Sequence, residues 1–87
     1  PNSSSAGVWL SVGDKHWINS MLDNHGLVVL EDGSVWEIEF DYRLEAAFWF
    51  PLSNVVVLET DVCNWPFIFL MVNTDDEEAA CARYVGR

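Results

Sequence analysis

Apolar and polar residues alternate along much of this chain with a period of two, broken by short runs rich in Gly, Asp, Asn and Pro. Successive strand side chains point to opposite faces, so such alternation predicts half-buried antiparallel strands. The clearest case is Leu30-Glu31-Asp32-Gly33-Ser34-Val35-Trp36-Glu37-Ile38. After the turn, Trp36, Ile38 and Phe40 fall on one face, and Val35, Glu37, Glu39 and Asp41 on the other. Asp32-Gly33 between two such runs predicts a type I′ hairpin turn, which needs positive φ at both central positions. Further strands are expected at Val8 to Val12, His16 to Leu22, Leu27 to Leu30, Val55 to Glu59, Phe67 to Val72 and Glu78 to Val85. Asp23-Asn24-His25-Gly26, Ser53-Asn54 and Asn73 to Glu77 read as turns, and Thr60 to Trp65 as a loop.

One segment departs from this period. Leu44, Ala47 and Phe48 are spaced i, i+3, i+4, which predicts a short helix near residues 41–49 packed over an open end of the sheet. Asp41 suits its N-cap, Glu45 its early turns, and Pro51 disfavours helical geometry at Phe50. Residues 1–7 are Ser-rich and without periodicity, a disordered lead-in to a single domain over residues 8–87. The expected class is all-β: a small antiparallel barrel, closed or partly open, of about five to seven strands with one short helix. Closure is attractive in so small a chain because it removes exposed strand edges.

Composition adds two constraints. Eighty-seven residues with 51% apolar content, five Trp and five Phe supply one modest core and leave aromatics available for binding. A net charge of −10, with only Lys15, Arg43, Arg83 and Arg87 positive, opposes phosphate backbones and anionic membrane surfaces. Nucleic acid is therefore excluded as a partner, while basic proteins, cations and neutral ligands are not. No apolar run approaches the ~18 residues of a spanning helix, so no membrane insertion is expected. No signal peptide is visible, and the chain opens at Pro1 without an initiator Met. That start fits a mature terminus, a piece of a longer chain or an artificial boundary.

Cys63 and Cys81 fit one disulfide closing a loop of about 19 residues, or two buried free thiols. The absence of a CxxC pattern argues against a structural zinc site or a redox dithiol.

Three segments together resemble small bacterial exported proteins of unknown function: the DGSxW hairpin at Leu30 to Ile38, Trp49-Phe50-Pro51-Leu52-Ser53-Asn54-Val55-Val56-Val57, and Leu70 to Glu77. The likeness spans Leu27 to Val85 and departs at Ser53-Asn54, where such turns commonly carry Gly-Asp. It implies a small β-barrel and a periplasmic or extracellular location, and it carries no activity.

No motif supports catalysis. His16 reads as a solvent-facing strand residue and His25 as a turn residue, and no GxSxG or HExxH pattern accompanies them. A thiol–imidazole enzyme using Cys and His is the remaining catalytic reading. Asp75-Asp76-Glu77-Glu78 lacks calcium-loop spacing and reads as a solvated acidic turn, so no metal or cofactor is expected. Glu37, Glu39 and Asp41, two apart along the expected strand, form an acidic stripe, either a solvated face or a docking strip for a basic partner. Trp36 reads as structural. Of the rest, Trp9, Trp17, Trp49 and Trp65, the indoles of Trp17 and Trp65 are the strongest binding candidates. The expected function is a non-catalytic module binding a protein partner through an aromatic and acidic surface, with carbohydrate or cell-wall binding through exposed Trp as the alternative.

Overall fold

In the computed structural model, which describes residues 8–87, six antiparallel strands close into a barrel. They are β1 (Lys15–Leu22), β2 (Leu27–Leu30), β3 (Val35–Ile38), β4 (Asn54–Glu59), β5 (Phe69–Asn73) and β6 (Glu78–Gly86). Their order around the barrel is β1-β2-β3-β6-β5-β4, and the pairing of β1 with β4 completes the circle. The expected lead-in at residues 1–7 lies outside the described residues.

The period of two sets the interior. Ile18, Val28, Leu30, Trp36, Ile38, Val55, Val57, Phe69, Met71, Ala80 and Ala82 form the buried core. β6 contributes alanines where its neighbours contribute bulk: Ile38 and Phe69 both pair with Ala82, and Met71 pairs with Ala80. A barrel of six strands has a narrow lumen, so large and small side chains must alternate across it.

The lower end of the barrel is closed by the helix. A 3₁₀ turn at Phe40–Tyr42 runs into α1 (Arg43–Ala46), and turn-like hydrogen bonds continue the winding to Trp49. Ala46 and Trp49 are fully buried, and the Trp49 indole N–H donates to Glu78 at 3.1 Å. Asp41 lies in the first turn rather than at the cap, which is Glu39 without a side-chain hydrogen bond. β3 ends at Ile38, earlier than the alternation predicts, because the chain must turn there to cross the barrel end. Phe40 is exposed as a result, and Glu39 and Asp41 do not share a strand face with Glu37.

The upper end is closed by residues 8–14, and here the expected strand at Val8 to Val12 is corrected. Val8 and Trp9 are helical and run into a turn at Leu10 and Ser11, and Val12 makes a single parallel bridge to Val57. β1 already occupies the β4 edge up to Val56, so the segment ahead of it keeps one bridge to that strand and lies over the opening with Val8 buried. The Asp32-Gly33 hairpin also differs from expectation. Only Gly33 has positive φ, at 87°, and the loop is a three-residue turn in which Gly33 N–H donates to Leu30 O. Consecutive positive φ occurs instead in the β1–β2 turn, at Asp23, Asn24 and His25, where Gly26 N–H donates to the Asp23 carbonyl.

Cys63 and Cys81 are joined in a disulfide. Cys81 lies on the outer face of β6 yet is buried, because the 60–68 loop is pinned across it. Among the described residues no helix is long and apolar enough to cross a membrane.

Candidate binding cleft at the upper end of the barrel

The disulfide loop and the 8–14 segment meet over the upper opening and leave a cleft of about 350 Å³ between them. Val8 and Trp9 from the 8–14 segment, Trp65, Pro66 and Ile68 from the disulfide loop, Phe69 of β5, and Arg83 and Tyr84 of β6 line it. The lining is mostly apolar, yet Trp65 remains 82% exposed and Trp9 51% exposed. Two indoles this accessible at one concave place depart from the usual burial of large aromatics in a small domain.

The walls rest on core aromatics. Trp9 meets Phe69 edge-on at 6.1 Å, Phe69 meets Trp36 at 5.4 Å, and Trp36 meets Tyr84 at 5.3 Å. This chain of edge-to-face contacts runs from the surface into the barrel and holds part of the cleft in shape without a ligand. Arg83, the cationic residue of the lining, is ion-paired with Glu37 at 2.5 Å, and Arg43 approaches the same carboxylate at 3.8 Å. The positive charge at the cleft is thus largely offset.

Beside the cleft lies a second cluster, polar and partly buried. The Ser11 hydroxyl donates to Asp32 Oδ2 at 2.5 Å, and the Ser34 hydroxyl and N–H both donate to Asp32 Oδ1. The Trp36 indole N–H donates to Ser34 Oγ, and Arg87 donates to Ser11 Oγ and to the Asp32 carbonyl. His16 is buried inside this cluster, a correction to its expected solvent-facing position. Its Nδ1 lies 2.9 Å from Glu31 Oε1 and its Nε2 lies 3.1 Å from the Ser11 carbonyl. Ser11 Oγ is engaged by Asp32 and Arg87 rather than by His16, so serine, imidazole and carboxylate do not form a nucleophile–base relay. The cluster instead ties the 8–14 segment, the β2–β3 hairpin and the chain end to one another.

Burial alone would raise the Asp32 pKa, but the hydrogen bonds from Ser11 and Ser34 outweigh it, and the His16 ring at 3.9 Å acts in their direction. The carboxyl is held down at about 2, against 3.8 for an ordinary aspartate. A depressed folded-state value means that ionised Asp32 stabilises the fold above the unfolded pKa and loses that effect as pH falls from about 5 to about 2. Solvent screening limits the contribution to about 1 kcal/mol. The stability difference between wild type and Asp32→Asn, measured by urea denaturation, should therefore shrink over this acid range; a difference constant with pH would contradict it.

The other expected site residues disperse. Trp65 is in the cleft, whereas Trp17 is half-exposed on the outer face of β1 opposite Asn54. Glu37 is bound in its ion pairs, Glu39 is half-buried with its N–H donated to the Cys81 carbonyl, and Asp41 is exposed on the 3₁₀ turn. Tyr84, Arg83 and Ile68 belong to the cleft and escaped sequence reasoning, since they come from distant segments joined through barrel closure and the disulfide. In the acidic turn, Asp75 accepts the Asn54 N–H at 2.8 Å, and these Asn54 hydrogen bonds hold its pKa below the usual value. Glu78 accepts from Trp49, and among the described residues no three of His, Cys, Asp and Glu converge as metal ligands. With both cysteines bonded to each other, neither offers a thiol to an imidazole. Comparison with protein-family models, curated proteins and solved structures finds no match to this chain.

Proposed function

We propose that this chain is a non-catalytic interaction module, exported or envelope-associated, that seats an apolar side chain of a protein partner in the Trp9–Trp65 cleft. The observation that carries this reading is the 82% exposure of Trp65 at a concave, mostly apolar place. Aromatic residues lining a pocket that a partner can desolvate are the usual anchors of protein interfaces. The charge of −10 favours a basic partner, and attraction at long range would raise the association rate more than the affinity. Carbohydrate recognition also uses exposed indoles, but a sugar ring needs several polar partners for its hydroxyls. The cleft offers mainly Tyr84 and an Arg83 already paired with Glu37, which favours the protein reading. The disulfide and the resemblance to exported bacterial proteins support an oxidising location.

The test is a titration of the Trp indole N–H signals by NMR with a short Lys-rich peptide bearing one Trp, and separately with oligomers of N-acetylglucosamine. The peptide should shift the signals of Trp9 and Trp65 and leave those of buried Trp36 and Trp49 in place. Trp65→Ala should abolish the response while changing stability by only ~0.5 kcal/mol, as expected for an exposed side chain. Shifts with the sugar alone, or a peptide response that survives Trp65→Ala, would overturn the proposal.

A further inference from the structure

The lower end of the barrel carries a second apolar surface, unconnected with the cleft. Phe40, Leu44, Phe48 and Phe50, on and just after the helix that closes this end, are each between 66% and 78% exposed. The inner side of the same segment is spent on Ala46 and Trp49, which plug the barrel, so these four side chains are not needed for its core. Phe40, Leu44 and Phe48 recur every four residues, the spacing that stacks side chains along one side of a winding chain. A shallow hollow of about 500 Å³ lies on this surface, lined by Phe40, Asp41, Arg43 and Leu44. The Arg43 guanidinium sits 5.6 Å from the Phe40 ring centre and keeps one wall in place.

We infer that this surface is a self-association face, and that its occupant is a second copy of the chain. Three features point to a copy. The positions 40, 44 and 48 are symmetric about Leu44, so an antiparallel meeting of two segments sets Leu44 on Leu44 and Phe40 against Phe48 in both directions. That reciprocity is the requirement of a twofold, self-complementary interface. Next, the hollow is walled by Phe40 and Leu44, and Phe48 is exposed one helical step after Leu44, so the antiparallel meeting offers the Phe48 ring of each copy to the hollow of the other. Lastly, area fits a weak association. Phe40, Leu44 and Phe48 at this exposure present about 450 Å² per copy, taking ~200 Å² for each when fully open. Two copies would bury about 900 Å², the size of a weak, reversible contact and above the ~800 Å² under which most incidental lattice contacts fall. The same symmetry places Arg43 of one copy near Glu45 of the other, a charge pair at the rim.

The copies each carry a charge of −10, so their long-range repulsion opposes the apolar contact. Association is therefore weak at low ionic strength and strengthens with added salt, which screens the repulsion over a Debye length of ~10 Å at 0.1 M. This sign is opposite to that of an assembly held by ion pairs.

Sedimentation equilibrium of the intact chain across about 5 to 500 μM, at 20 mM and 300 mM sodium chloride, tests the inference. A monomer–dimer equilibrium with a micromolar dissociation constant is expected, several-fold tighter in the higher salt. Leu44→Glu and Phe48→Glu should each abolish the dimer, and thermal unfolding should show both variants folded, because the substituted side chains are exposed. Trp65→Ala, at the opposite end, should dimerise like the wild type. A chain that stays monomeric at 500 μM in both salts overturns the inference, as does a dimer that survives both substitutions.

Discussion

Replacing Trp36 with Ala is expected to remove about 4 kcal/mol of stability, the usual scale for deleting a buried tryptophan. The indole has no exposed surface and meets Phe69 and Tyr84 edge-on inside the lumen. Its N–H donates to Ser34 Oγ at 2.9 Å, and the Ser34 hydroxyl donates in turn to Asp32. Truncation would thus open a cavity in a narrow barrel and loosen the hairpin cluster in the same step. For a domain whose whole stability is of the order of 5–15 kcal/mol, such a loss removes between about a quarter and most of it. Trp36→Phe separates the two effects: it retains most of the packing and deletes the donor, at an expected cost of about 1–2 kcal/mol. Urea denaturation with unchanged slope reports both values. A loss under about 1 kcal/mol for Trp36→Ala would mean that the barrel is not organised around this indole.

Removing the disulfide ranks next. Its cysteines are 18 positions apart, and releasing a loop of this length restores about 3 kcal/mol of chain entropy to the unfolded state. For a domain of this size that lowers the melting temperature by about 12–24 °C. The variant of choice is Cys63→Ala with Cys81→Ala, since a serine at buried position 81 would add an unsatisfied hydroxyl. The loop carries Trp65, so the same variant should weaken the peptide response at the cleft even at temperatures where the barrel remains folded. Equal melting temperatures with and without the bond would show that the loop adds no such constraint.

Much of the strand layout was legible because its signal is local. Alternation from Val35 to Ile38 assigns the two faces of β3, and the wholly apolar Leu27 to Leu30 keeps both faces of β2 covered or half-covered. Leu44, Ala47 and Phe48 betrayed a helical turn, and the structure winds there, though its regular part is confined to Phe40–Ala46. The failures are non-local. Val8 to Val12 reads like a strand, yet β1 takes the β4 edge as far as Val56, and the segment ahead of it meets β4 at Val57 alone. Phe40 continues the inward pattern of Trp36 and Ile38, yet the chain leaves the sheet before reaching it. His16 alternates as a strand residue should, but its face becomes buried only when Ser11 and Glu31 close over it.

The site follows the same division. Sequence periodicity and turn chemistry by themselves determined that this is an all-β chain with a small barrel's worth of short strands, an inward Trp36 and a strongly acidic surface. These properties depend on contacts within a few residues or on composition alone. Which Trp would be exposed, and beside what, was decided by tertiary structure. Trp65 lines the cleft because Cys63 bonds to Cys81 across the outside of β6, and Tyr84 and Trp9 reach it from the two ends of the described chain. Trp49 is hidden because the barrel has an end to plug, and Phe40, Leu44 and Phe48 are left outside by that same plugging. A closed barrel brings residues more than fifty positions apart into contact, and a pattern with a period of two carries no information at that distance.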